Sequence, residues 1–201
     1  MTSAFAPRMP LLQPPYTPEV DAVIQSTAFT GMSQGKRRLA LAQGPKLAKS
    51  FLAMARVVLF QCDVPERDRE IAINRTGALT RSEYEWGMHV SLYGAKCKLG
   101  ELQIHELTSC SSWKEMSDTV WTPAERRIVR MVDELHHHST VFDDTWGELN
   151  TTWPKEQVIE LVFASSFYRM AAFFLNAAAV PLEDGARRFP AGLSQATVPA
   201  G

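Results

Sequence analysis

The stretch Arg81-Ser82-Glu83-Tyr84-Glu85-Trp86-Gly87-Met88-His89 decides how this chain is read. Ser82 ahead of Glu83 and Glu85 has the form of a helix start, with Thr80/Glu83 and Ser82/Glu85 as two registers of a capping box. Once helical, Glu85 and His89 stand four residues apart. Four residues turn by about 400°, so the two side chains emerge roughly 40° apart on one face. A carboxylate beside an imidazole can hold one ring nitrogen and leave the other to move a proton near neutral pH. The plainer alternative is a structural Glu–His pair worth a few tenths of a kcal/mol.

Outward from this stretch the chain reads as helices. Leu47, Phe51, Met54, Ala55, Val58 and Leu59 keep helical spacing from Pro45 to about Gln61. Asp63-Val64-Pro65-Glu66 opens a helix to about Leu79, and the motif helix then runs from Ser82 to about Lys96. Glu101 to Cys110 forms a short helix. Thr122-Pro123-Ala124-Glu125 is a clear cap for one that reaches the triple histidine His136-His137-His138. A short helix near Asp144 to Leu149 precedes the long terminal one, from Pro154 to about Ala179. No alternating apolar segments are joined by an Asn-Gly or Asp-Gly turn, so the expected fold class is all-α, a single-domain helical bundle.

The domain limits follow from composition. Residues 1–44 form an N-terminal extension: five prolines within the first eighteen residues predict an extended arm, Thr17-Pro18-Glu19 starts a weak helix, and residues 30–37 read as a loop. Residues 45–182 form the helical domain, and 183–201 a loose tail rich in Gly, Pro, Arg and Ser.

Apolar content of 45%, charge of 21% and a formal net charge of −1, with no basic run, give no nucleic-acid footprint. Cys62, Cys97 and Cys110 are odd in number and form no CxxC, which predicts reduced thiols in an intracellular, cytoplasmic setting. No basic stretch followed by an apolar run marks the N-terminus as a secretory signal. Leu161 to Val180 is long enough to span a bilayer, yet Arg169 would fall near its centre; a core or subunit-contact helix is the expectation, not a membrane span. The three consecutive histidines point about 100° apart on a helix and do not converge on one ion, so no metal site is expected there.

Several stretches together resemble the carboxymuconolactone decarboxylase and alkylhydroperoxidase D-like (AhpD-like) family over residues 65–182. They are Arg69-Glu70-Ile71-Ala72-Ile73, Arg75-Thr76-Gly77-Ala78 and the motif ending at His89. Ala124-Glu125-Arg126, Asp133-Glu134-Leu135-His136, Tyr168-Arg169-Met170, Leu175-Asn176-Ala177 and Val180-Pro181-Leu182 follow in order. In the peroxidase branch of that family a glutamate faces a CxxC and a histidine. Counting back from His89, the cysteine positions fall on Ser82 and Glu85 and the glutamate on Glu70. Both sulfurs are absent, which speaks against thiol peroxidase chemistry at this site.

The resemblance implies a cofactor-free lyase of the decarboxylase kind acting on a small cyclic carboxylic acid or lactone. His89 would be the proton donor, Glu85 its orienting partner and Glu70 a second acid or base. An isomerase or dehydratase on a polyketide-like ring, or a non-catalytic small-molecule-binding oligomer, is the alternative. Family members associate as trimers or hexamers, so a homo-oligomer is expected. Arg75 and Arg169 are candidates to clamp a substrate carboxylate, with a buried ion pair the equal alternative for Arg169; Tyr84, Trp86 and Tyr93 are candidates for an aromatic wall, with Trp86 read first as core. Cys97 reads as a buried small apolar residue.

Overall fold

The computed structural model describes residues 7–26 and 35–196. Among these there is no strand, and the elements in order are α1 (Pro18–Ile24), α2 (Gly35–Leu41), α3 (Pro45–Phe60), α4 (Glu66–Leu79), α5 (Glu83–His89), α6 (Glu101–Ser109), α7 (Pro123–His138), α8 (Asp143–Thr152) and α9 (Lys155–Ala178). The architecture is all-α. Helix α4 runs through the middle, packed against α5, α6, α7 and α9, and every residue from Arg69 to Ala78 is buried. Some of its buried polar residues are paired within the core: Arg75 Nε donates to Asp133 Oδ1 at 2.7 Å, and Thr76 Oγ1 donates to the Ala72 carbonyl.

The boundaries follow local chemistry. Thr122 and Glu125 form the reciprocal cap expected for α7. At the α4–α5 turn the expected Thr80/Glu83 box does not form: Thr80 Oγ1 turns back to the Thr76 carbonyl, and Glu83 receives the backbone N–H of Phe189 instead. Arg81 takes a left-handed conformation (φ 54°), and Ser82 N–H reaches the Gly77 carbonyl, closing the turn. Gly77 is there for space. A Cβ on it would stand 3.1 Å from Trp86 N and Cβ, so its hydrogen side chain lets α4 and α5 lie close together. Past His89, α5 continues as one π-helical turn over Val90–Gly94, where the motif helix was expected to run to Lys96.

Two expectations are corrected. The predicted loop at 30–37 falls outside the described residues up to 34, but Gly35–Arg37 are helical, the first turn of α2. Its entry is fastened by Glu183, which accepts from the Lys36 N–H at 2.8 Å and from the Tyr84 hydroxyl at 2.7 Å. The tail is not loose over its described length. Phe189 packs on Trp86, Arg187 N–H donates to Ser91 Oγ at 2.8 Å, and Ala196 N–H donates to the Arg81 carbonyl. Composition hid this, because one aromatic anchor and a few backbone hydrogen bonds suffice to dock a segment that carries no periodicity.

Helix α9 is buried along one side against α4, with Leu161, Ala164, Tyr168, Ala171 and Leu175 inside, and leaves Ile159, Phe163, Met170 and Phe173 exposed on the other. It is long and apolar enough to cross a membrane, but half of its most apolar window is covered by the rest of this fold.

Candidate active site

Helices α4 and α5 bring Glu70 and His89 together. His89 Nδ1 lies 2.8 Å from Glu70 Oε2, and Nε2 lies 3.9 Å from Glu85 Oε2, beyond hydrogen-bond reach. Glu70, Glu85 and His89 are 0%, 1% and 4% exposed. An ionised Glu70 accepts from Nδ1–H, which sets the tautomer with its lone pair on Nε2, facing Glu85. The pair predicted from the i,i+4 spacing is therefore the looser contact. The close one joins residues nineteen apart in sequence.

Two arginines bracket this line. Arg37, 3% exposed, reaches Glu85 Oε1 with Nη1 at 3.3 Å. Burial, the largest influence, works against its charge, and Glu85 together with Tyr84 and Tyr168 outweighs it, so the guanidinium stays charged. Arg69, also 3% exposed, lies 3.7 Å from Glu70 Oε1 and 3.5 Å from Glu66 Oε1. Two aromatic rings close the imidazole in: Tyr168 of α9 meets it edge-on at 4.6 Å between centroids, and Tyr93 of the π turn lies at 5.3 Å. Burial, then the Glu85 and Glu70 carboxylates, push the Tyr168 phenol well above its ordinary range; burial and then Glu70 push Tyr93 up to about 12. Both hydroxyls remain protonated, and so remain donors, at any physiological pH.

The other candidates are placed elsewhere. Arg75 is wholly buried and holds Asp133 and the carbonyls of Leu107 and Cys110, an internal brace between α4, α6 and α7. Arg169 is half-buried; its Nη1 donates to the Leu135 and His136 carbonyls, capping the C-terminal end of α7 beside a cleft of about 280 Å³ whose lining includes none of the Glu–His residues. Trp86 is core, its Nε1–H on Thr108 Oγ1. Tyr84 is buried and ties Glu183 and the Arg37 N–H together. Of the expected aromatic wall, Tyr93 alone touches the imidazole. Arg75, Arg169, Tyr84 and Trp86 are thus bound into the scaffold, because a guanidinium or ring flanked by apolar sequence finds its partners inside the fold.

The three cysteines do not take the place of the missing motif cysteines as activated thiols. Ser82 Oγ is buried with no hydrogen-bond partner among the described residues. Burial, and then Glu70, push the Cys97 thiol up to about 11, and burial raises Cys62 and Cys110 as well. None of these thiols has the low pKa of a peroxidatic cysteine.

Sequence reasoning missed Arg37, Arg69 and Tyr168 as members of the site. Arg37 lies forty-eight residues from Glu85, and no periodicity links them. Tyr168 lies in an apolar helix, where an aromatic residue carries no local sign that it faces a histidine on another helix.

No family model and no curated protein matches the sequence. Solved structures do match in fold. A protein of unknown function from Agrobacterium tumefaciens, provisionally assigned as the antioxidant defence protein AhpD, superposes with a TM-score of 0.62 at 18% identity, covering 70% of this chain and 92% of its own. An alkylhydroperoxidase AhpD core, an uncharacterized peroxidase-related protein from Ralstonia eutropha JMP134, gives 0.62 at 16% identity over 74% and 77%. The fold is AhpD-like. An uncharacterized peroxidase-related protein from Silicibacter sp. TM1040 shares this AhpD-like fold at 0.62 and 12% identity over 73% and 75%. Identities this low speak for the fold alone, and the chemistry has to be argued from the site.

Proposed function

We propose that this chain is an enzyme that moves a proton to or from carbon: a cofactor-independent lyase of the decarboxylase kind, acting on a small cyclic carboxylic acid or lactone. The observation that carries this reading is the 2.8 Å contact between His89 Nδ1 and Glu70 Oε2, with Nε2 turned toward Glu85 and no thiol in the motif. Glu70 fixes the ring and supports its positive charge; Nε2 is the working nitrogen. In the reaction the bond to the departing carboxylate breaks. Its electron pair passes into the neighbouring carbonyl as an enolate and carbon dioxide leaves; Nε2, having first taken up a proton from solvent, delivers it to the carbon and regains its lone pair. The protonated Tyr168 hydroxyl is a donor suited to the enolate oxygen.

The test is a turnover panel of cyclic carboxylic acids and lactones, with wild type beside His89→Gln, read by product mass. Loss of carbon dioxide that disappears in the variant supports the lyase. A product of unchanged mass points to an isomerase, and loss of water to a dehydratase, on the same residues. Deep burial of all three site residues favours one further reading, a binding protein. In that case a ligand from the panel binds without conversion.

The same reading includes a homo-oligomer, trimer or hexamer. The exposed line Ile159, Phe163, Met170 and Phe173 on α9 supports it, since a soluble monomer seldom leaves so long an apolar ridge to water.

A further inference from the structure

Two arginines of this fold cover a helix end in the same way, and only one of them is complete. Arg75 Nη1 donates to the Leu107 and Cys110 carbonyls at the end of α6, both at 2.9 Å, and its Nε donates to Asp133 Oδ1 at 2.7 Å. Arg169 Nη1 donates to the Leu135 and His136 carbonyls at the end of α7, at 3.2 and 3.1 Å. Among the described residues its Nε and Nη2 have no hydrogen-bond partner, and no carboxylate pairs with it. A guanidinium carries five N–H donors, and the Nε/Nη2 edge can grip a carboxylate through two parallel hydrogen bonds. Covering α7 needs Nη1 alone.

This half-used arginine lines the cleft of about 280 Å³ between α4, α7 and α9. Val132 and Leu135 give the cleft an apolar wall. His136 is half-buried, and neither of its ring nitrogens has a hydrogen-bond partner among the described residues. Burial, and then the Arg169 charge, hold its pKa below the ordinary imidazole range, so the ring is neutral and keeps one N–H to donate. The Ser139 hydroxyl is likewise without a partner there. Thr76, Ser165 and Ser166 donate their hydroxyl hydrogens to carbonyls of their own helices. They can accept from a ligand hydroxyl but have no hydrogen left for an anion, which leaves Arg169, His136 and Ser139 to hold a negative charge. The volume lies just below the ~300–1,000 Å³ of pockets for drug-sized ligands, so the occupant is small.

We propose that the cleft between α7 and α9 binds a small organic carboxylate, which takes on Arg169 the place that Asp133 takes on Arg75. Nε and Nη2 hold the carboxylate side-on, His136 and Ser139 donate to its outer lone pairs, and the body of the ligand rests on Val132 and Leu135. The α7 carbonyls that would repel an anion are the ones Arg169 Nη1 already covers. No covalent bond changes. None of Glu70, Glu85 and His89 lines this cleft, so it is a second site and stands whether or not those residues transfer a proton.

The test uses the full chain with benzoate and its neutral isostere benzamide. Carbethoxylation by diethylpyrocarbonate is read residue by residue by tandem mass spectrometry, with the exposed His137 and His138 as internal controls. Benzoate should slow modification of His136 severalfold and leave the two controls unchanged, and benzamide should protect none of the three. In calorimetric titration Arg169→Gln should weaken benzoate about 10-fold or more, and Arg169→Lys, which keeps the charge without the fork, by less. His89→Gln should leave benzoate binding unchanged, which separates this cleft from the Glu–His cluster. Should Arg169→Gln fail to fold, Arg169→Lys and the wild-type benzoate/benzamide pair still decide. Equal protection by the two compounds, no benzoate binding, undiminished binding in the Arg169 variants, or its loss in His89→Gln overturns the proposal.

Discussion

At the residue scale, identical side chains do opposite work according to how their charge is met. Arg75 has a close carboxylate and two carbonyls and braces the scaffold; Arg37 and Arg69 stand beside Glu85 and Glu70 at 3.3 and 3.7 Å, where the proposed reaction would feel their charge. Removing one partner of a buried pair leaves the other uncompensated, so Arg75→Ala should cost about 3–5 kcal/mol in urea unfolding. Cys97 gives a pH prediction. Its folded-state pKa is raised from 9.0 to about 11, so the neutral thiol contributes stability that is fully present below pH 9 and is lost as pH rises to about 11. The melting temperature should therefore fall over that window, and less steeply in Cys97→Ala. The i,i+4 geometry of Glu85 and His89 was legible because it is local. The tighter partner, Glu70, was recovered only through the family resemblance, and Arg37 not at all, because no local rule connects residues that meet only through packing.

At the element scale, the helices and most of their ends were readable, since caps such as Thr122/Glu125 and the apolar spacing of α3 are written within a few residues. The α4–α5 turn and the tail were not. Both depend on contacts made after folding: Thr80 turning back on its own helix, Glu83 receiving Phe189, and Phe189 seating on Trp86. Gly87 shows how closely the tail lies. A Cβ there would meet the Arg187 carbonyl oxygen well inside contact distance. Gly87→Ala should cost about 1–3 kcal/mol and release the tail, visible as faster hydrogen exchange at the Arg187 and Phe189 amides. Unchanged exchange would mean that the tail is held by other contacts than these.

At the scale of the whole molecule, the all-α class followed from helical spacing maintained from Pro45 to Ala179, while the exposed half of α9 posed a question that a single chain leaves open. Its outward side carries Phe163 and Phe173, which the oligomer proposal buries between copies. Light scattering on the purified chain should give a trimer or hexamer mass, and Phe163→Ser with Phe173→Ser should lower it while helical content is retained. A wild-type monomer would leave this ridge to another partner. The same scale explains why the site is deep: α2 and α9 close over the α4–α5 pair, bringing Arg37 and Tyr168 to a motif that by itself supplies only Glu70, Glu85 and His89.

We propose that His89, held by Glu70, moves a proton at carbon. This is tested most directly by solvent deuterium incorporation: wild type, His89→Gln and Glu70→Gln incubated in heavy water with the acid and lactone panel, with deuterium at carbon located by NMR. Wild type should incorporate deuterium, and both variants should lose about 100-fold or more of that activity. Incorporation that persists unchanged in His89→Gln would contradict the proposal.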